Sequence, residues 1–306
     1  MQKSKKIQNS GKKKKMSPQD IIFHIICYTL FTVFFLICAY PFYYLLICTV
    51  SNNKLVDLNT ITLIPKGFHL DNYGEVLKLE RIRSAAVISL LRTSVGTAVS
   101  LLITAYMGYF FSKEIMWHRK LFYRLTVATM YFSAGIIPIY LNMKMFGLLN
   151  SFWAYIIPTC FSVYNMILIK TYIESLPRSL EEAAEMDGAG YLSRFFLIVL
   201  PLSKPILATV GLFSAVSQWN SIFDTKLYIT NSKLYTLQFV LYEYYNQIKS
   251  IQQTMDQMGG SELVNAASTT SVRLTMTAVT VIPVMCIYPF IQKYYMKGIM
   301  IGAVKG

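Results

Sequence analysis

The carboxylates of this chain are few and gathered. Of its 15 Asp and Glu residues, Glu181, Glu182, Glu185 and Asp187 fall inside one short stretch, Ser179-Leu-Glu-Glu-Ala-Ala-Glu-Met-Asp-Gly-Ala-Gly190. Acid–base or metal chemistry would need a nucleophile, a histidine or further ligands beside them. The sequence offers no such neighbour. His24, His69 and His118 are widely separated, and Cys27, Cys38, Cys48, Cys160 and Cys286 lie in or beside apolar runs, where they read as small core residues. No Ser/His/Asp or Cys/His constellation is visible. A phosphate-binding G-x-x-x-x-G-K-[ST] is missing too, since Gly11 with its following lysines lacks both the first glycine and the Ser/Thr. The reading is therefore of a chain that is not an enzyme, has no catalytic residue, metal or cofactor of its own, and uses its acidic stretch for recognition.

Local rules predict how that stretch folds. Pro177 suits a helix start, and Ser179 with Glu182 fits a capping box. Glu181 and Glu182 sit at the positive end of the helix dipole. Gly188 and Gly190 supply a stop and a turn. Ala183 and Ala184 have no bulk, so another surface can approach closely. A second helical stretch, Tyr191–Leu200, ends at Pro201.

What surrounds this polar piece is apolar. The 306 residues are 54% hydrophobic and only 14% charged, with a mean hydropathy of +0.43, against about 25% charged in soluble domains. Six membrane spans are predicted: Ile21–Val50, broken near Pro41; Ala86–Phe111; Leu125–Leu141 with Pro138; Phe152–Lys170 with Pro158; Pro205–Phe223; and Leu274–Ile291 with Pro283 and Pro289. The first run is too long for a signal peptide and lacks a small-residue cleavage site, so it reads as a retained span. Of the 29 Lys and Arg residues, 18 lie on the side of the two termini and of the second–third and fourth–fifth connections. The positive-inside rule then places both termini, and the acidic helix, in the cytoplasm. The expected organisation is a basic cytoplasmic tail over residues 1–20 and one all-α membrane domain over 21–306. The net charge of +14 owes much to seven lysines in the first 15 residues. That tail reads as a solvated segment meeting anionic headgroups, and nucleic acid is excluded as a partner for want of a soluble basic domain.

The order Glu182-Ala-Ala-x3-Gly188-x9-Ile198-x-Leu200-Pro201 resembles the EAA signature of bacterial ATP-binding cassette importer permeases. Tyr40-Pro41-Phe42, Leu63-Ile-Pro-Lys-Gly-Phe68 with Asn72-Tyr73, Trp219-Asn220 and the ending Lys297-Gly-Ile-Met-Ile-Gly-Ala-Val-Lys-Gly306 are similar to carbohydrate importers of the maltose type, and specifically to the second permease. The resemblance implies a type I importer permease fold with a coupling loop over 172–204, in the bacterial cell membrane. Ser179–Gly190 would be the coupling helix seated in a cytoplasmic ATPase. Glu182, Ala183, Ala184 and Gly188 would be its contact and turn positions, Asp187 would help fix the loop, and Met296–Gly306 would reach toward the ATPase dimer. The implied partners are a related permease, two ATPase subunits that hold the ATP and magnesium, a solute-binding protein outside the cell, and a sugar. Peptides or another polar solute remain open as cargo. An ion-coupled secondary transporter would need intramembrane acids, which are scarce.

Sugars stack on aromatic rings and bond to planar amides, so Gln218, Trp219 and Asn220 are the candidate pathway residues, with Tyr140, Asn142, Tyr155 and Tyr164 weaker ones. Arg92, early in the second span, is expected to snorkel to the interface or to touch solute or binding protein, and Asp224 has a similar status.

Overall fold

The computed structural model describes residues 17–258 and 270–303. The seven lysines of the N-terminal tail, residues 259–269 of the polar loop and the closing residues 304–306 lie outside them. Among the described residues every regular element is helical. In chain order they are α1 (Pro18–Thr49), α2 (Asn53–Asp57), α3 (Asp71–Lys78), α4 (Glu80–Ser112), α5 (Arg119–Ala128), α6 (Ile136–Met145), α7 (Val163–Glu174), α8 (Ser179–Met186), α9 (Tyr191–Arg194), α10 (Leu200–Leu202), α11 (Lys204–Asn220), α12 (Phe223–Tyr228), α13 (Leu237–Met258) and α14 (Thr270–Ala303).

Three of these, α1, α4 and Thr270–Ile287 of α14, are long and apolar enough to cross a bilayer alone. The other candidate spans are broken pairs. Arg119–Tyr131 and Ile136–Met145 meet at 113°, Phe152–Thr159 and Val163–Glu174 at 52°, and Tyr191–Leu202 and Lys204–Asn220 at 84°. The third and fourth predicted spans are thus not single helices, and proline explains where they part. Pro138 has no amide to give the carbonyl of Ala134, and Gly135 before it takes φ +84°, so the chain turns and α6 starts afresh. Pro158 lies inside the 3₁₀ turn Ile157–Thr159, after which the chain breaks, and Ser162 then caps α7 by accepting from Asn165 N–H at 3.3 Å. By contrast the break expected at Pro41 is not seen, since α1 runs through it, as α14 runs through Pro283 and Pro289.

One end of the bundle is closed by a small polar cap that explains two of the sequence features noted above. The Pro65–Gly67 turn folds back onto the end of α1: Asn52 N–H donates to Lys66 O at 2.9 Å and His69 N–H to Val50 O at 3.0 Å. Gly67 has φ +67°, and a Cβ there would meet Asn52 Cβ at 3.0 Å. Asn72 is buried; its amide is exchanged with that of Asn53 at 2.9 and 3.0 Å and donates to Thr49 O at 3.3 Å. Tyr73 Oη lies 2.8 Å from Thr49 Oγ1.

α4 is the central post, packed against α7, α11 and α13. Toward its Ser112 end the core is Tyr109 with Ile169, Ile173, Phe195, Leu207 and Val210. Toward its Glu80 end it is Ile82 with Val76, Trp219, Leu237, Val240 and Met276. Gly108 lets α7 approach, for a Cβ there would stand 3.0 Å from Ile169 Cγ2 and 3.2 Å from Lys170 N.

Between the two cores lies a charge. Arg92 of α4 is only 1% exposed. Its Nε donates to Gln218 Oε1 at 2.9 Å and its Nη1 to Ser221 O at 3.2 Å, while Nη2 is paired with Asp224. The guanidinium rests 4.5 Å from the ring centre of Tyr155, and Gln218 Nε2 donates onward to Thr159 Oγ1 at 2.7 Å. The snorkelling expectation is overturned, because Arg92 turns into the bundle, where three acceptors and a ring replace its water. Gly96, one turn further along α4, leaves the space that Gln218 occupies: a Cβ would fall 2.7 Å from Gln218 Nε2.

Removing one member of such a pair strands the other. Arg92→Met should destabilise the folded chain by about 3–5 kcal/mol, whereas Arg92→Met with Asp224→Leu should recover most of that loss. Thermal unfolding of the solubilised assembly checks this, and equal losses for the single and double variants would refute it. Gly108→Ala should cost about 1–3 kcal/mol, because α4 and α7 must part to admit the methyl group; the same melt reads it.

Candidate functional site

The acidic stretch forms a helix, though not by the expected cap. Arg178 occupies the cap position with helical φ −62° and ψ −31°, and no side chain caps the helix. Main-chain carbonyls do the work instead: Leu180 N–H donates to Pro177 O at 3.4 Å, and Glu181 and Glu182 N–H donate to Arg178 O at 3.0 and 3.1 Å. The box of Ser179 and Glu182 therefore does not close, and both residues are exposed. The stop at Gly188 is as predicted. Its φ is +80°, its N–H bonds to Glu185 O at 3.0 Å, and Ala189 N–H reaches Ala184 O at 2.9 Å, the paired bonds of a Schellman ending. Gly190 is different. At φ −69° and ψ 169° it is extended backbone that any residue adopts, and it leads into α9.

The acids of α8 divide by direction. Glu181, half-buried, is paired with Lys113, whose ammonium sits 4.3 Å from the ring centre of Tyr109. Glu185 accepts from Arg194 at 2.6 Å, and that guanidinium lies 4.4 Å from the ring centre of Tyr191. Arg178, just before the helix, bonds Glu114 at 2.6 Å. Lys113 and Glu114 belong to the connection after α4, so two ion pairs strap α8 to the end of the central helix. On α7, Glu174 takes both Arg119 and Lys170, the latter at 2.7 Å. Each such surface pair contributes no more than about 1 kcal/mol; their effect is on direction. The Arg178 guanidinium, by hydrogen bond and charge, holds the Glu114 carboxyl below its ordinary value. The strap at that corner is therefore complete at neutral pH and is lost as pH falls through the lowered value.

Glu182, Ala183, Met186 and Asp187 are left exposed, and Ala184 is half-buried. Met186 stands 88% exposed at the end of the helix, an adaptable apolar knob among acids that sequence reasoning passed over as a spacer between motif positions. After α9 the chain makes a wide π-turn over Phe195–Val199, with Leu200 N–H reaching Phe195 O, directly before Pro201, which has no amide to give Leu197 O. Ile198 and Leu200 are half-buried in this turn and Pro201 is exposed. Together with Pro205, Pro201 brackets the 84° bend into α11. The acidic helix is thus strapped to α4 by charge and joined to α11 through a bent, widened turn.

The three candidate pathway residues sit at the far end of α11 with different exposures. Gln218 is 5% exposed and spends its amide on Arg92 and Thr159; Trp219 is 7% exposed and donates Nε1–H to Thr280 O at 3.1 Å. Asn220 is exposed, with Oδ1 accepting from Gln238 Nε2 at 3.1 Å. Of the weaker candidates, Tyr155 is fully buried with Oη donating to Leu234 O at 2.7 Å, and Tyr164 is exposed. Tyr140 stacks on Tyr228 with ring centres 6.4 Å apart, and Asn142 is exposed.

Comparison with known proteins agrees with this architecture. The polygalacturonan/rhamnogalacturonan transport system permease protein YtcP of Bacillus subtilis is 36% identical over 285 residues, covering 93% of this chain and 99% of its own. Protein LplC of the same bacterium is 37% identical over 267 residues, covering 87% and 89%. A chain in the crystal structure of a bacterial ABC transporter involved in the import of the acidic polysaccharide alginate superposes with a TM-score of 0.81 at 30% identity, over 92% of this chain and 99% of that one. The family model described as the binding-protein-dependent transport system inner membrane component matches residues 11–300. The chain therefore belongs to that family: it is a multi-pass inner-membrane permease of ABC importers, with the permease fold, and it is not an enzyme.

Proposed function

We propose that this chain is the second permease of a carbohydrate importer and that α8 is its coupling helix. Each bent pair counts as one span, giving six, with both termini and α8 in the cytoplasm, a reading that the distribution of Lys and Arg supports. The observation that carries the reading is the division of α8. Glu181 and Glu185 are tied inward, while Glu182, Ala183, Met186 and Asp187 face away from the chain. A polar helix end with an exposed methionine and small residues suits a groove on a soluble partner. That partner is one of two ATPase subunits. ATP and magnesium belong there; this sequence carries no G-x-x-x-x-G-K-[ST] phosphate loop of its own. A related permease completes the membrane part, and a solute-binding protein delivers the sugar from outside.

The mechanism is alternating access. Closure of the ATPase dimer moves α8. The straps Lys113–Glu181 and Glu114–Arg178 pass that motion to α4, and the turn at Phe195–Leu202 passes it to α11. These two helices meet again at the Arg92 hub, beside Asn220. Of the three pathway candidates, Asn220 is the one that meets solute; Gln218 and Trp219 hold it from behind.

Glu182→Lys and Gly188→Arg should both reach the membrane at near-normal levels. Both should lose ATPase pull-down and the stimulation by loaded binding protein at least tenfold. A side chain at φ +80° adds roughly 1–2 kcal/mol of local strain to the second. Unchanged stimulation would remove the coupling assignment. Reversing one strap with Lys113→Glu should uncouple the importer in part, and adding Glu181→Lys should restore it; no restoration would show that the pair carries no motion. A cysteine at Met186 should react with an impermeant maleimide only from the cytoplasmic side, and labelling from outside the cell would overturn the topology.

A further inference from the structure

The external end, as placed above, carries a face that the coupling mechanism does not use. On α13, Gln238, Tyr242 and Tyr245 follow at i, i+4 and i+7, which puts them on one side of the helix. Each meets a polar group from a different element. Gln238 holds Asn220 of α11. Lys226 of α12 donates from Nζ to Tyr242 Oη at 3.0 Å and lies 5.1 Å from that ring's centre. Arg273 of α14 lies 5.8 Å from the ring centre of Tyr245, whose Oη is 2.9 Å from Thr277 Oγ1.

Two acids on these elements are engaged elsewhere. Glu243 points to Arg81 on another side of α13, and Asp224 is spent on Arg92. Among the described residues neither Lys226 nor Arg273 has a carboxylate partner. Both stay accessible, Lys226 exposed and Arg273 half-buried. Their tyrosines hold the cationic heads in place, so less freedom is lost when an anion arrives. An arginine fork also matches a carboxylate in two-point fashion.

We propose that this face receives an anionic, uronate-containing oligosaccharide, with Lys226 and Arg273 taking sugar carboxylates and the Asn220–Gln238 amides taking hydroxyls. The inference rests on the reading that Asn220 lines the solute path. Charge complementarity selects the acidic sugar over a neutral one.

The test uses membrane vesicles carrying the complete importer, with short oligogalacturonates and the same oligomers after carboxyl reduction as probes. ATP-dependent uptake of the acidic oligomers is expected, with the reduced ones competing poorly. Lys226→Gln and Arg273→Gln should each raise the half-saturating concentration about twofold to fivefold, the range for one exposed charge pair. Arg273→Lys should recover part of the loss, and raised ionic strength should narrow the gap. The proposal is overturned if reduced oligomers enter as well as acidic ones, if the variants transport like the parent, or if they lose both probes equally, which would mark a docking surface for the binding protein. It is overturned as well if neither probe enters. In every case ATPase pull-down through Glu182 reports separately on the coupling reading: its retention leaves that reading standing, and its absence removes it too.

Discussion

A single guanidinium inside the bundle holds four elements in register. Arg92 reaches α4, α11, the start of α12 and the 3₁₀ segment of Tyr155 at once, with Nε, Nη1 and Nη2 each bonded to an acceptor. Burying a charge away from water is costly unless it is paired and bonded, so the arrangement fixes geometry more than it adds stability. The end of α11 cannot turn without leaving Arg92 unsatisfied, nor can the α12 elbow shift without stranding Asp224. Trp219, anchored to Thr280, and Asn220 take their positions from that constraint.

At the opposite end the logic is reversed. There the charges lie at the surface, and none of the pairs around α8 is worth much alone. What they accomplish is orientation. Tying Glu181 and Glu185 back to the chain leaves the remaining side of α8 free, and the Arg178–Glu114 pair fixes the start of the helix against the end of α4. The two ends thus differ in kind: a desolvated hub ties α4 to α11, while solvated ion pairs fix how α8 lies against the end of α4.

Much of this was legible in the residues. The long helices α1, α4 and α14 follow from hydropathy and length, and the Schellman stop from Gly188 at the end of an acidic run. The prolines were visible but their consequences were not. Pro41, Pro283 and Pro289 ride inside continuous helices, whereas Pro138 and Pro158 mark breaks. The difference lies in local partners, such as Gly135 turning the chain or Ser162 capping the next helix, which hydropathy does not register. Ser179 looked like a cap, yet Arg178 is already helical and the main chain takes the amides. Arg92 looked like a lone cation near an interface because its acid lies 132 positions away, a pairing that only the folded bundle creates. Met186 carries a signal of its own, an apolar residue in a polar helix beside a glycine stop, at a position the Glu182-Ala-Ala-x3-Gly188 spacing leaves unspecified.

α1 has no buried residue before Ile47, and its large apolar side chains from Ile21 to Leu46 lie on the outside of the chain. Its amides are satisfied within the helix, as a lone span in lipid requires. The rest of the bundle holds it chiefly by α14 and by the polar cap around Thr49 and Asn72. The subunit is accordingly two folding units of unequal kind: a rod that the bilayer alone can keep in shape, and a bundle whose order is its own. The cooperative unfolding that a melt reads is therefore that of the bundle, to which most of α1 contributes few contacts.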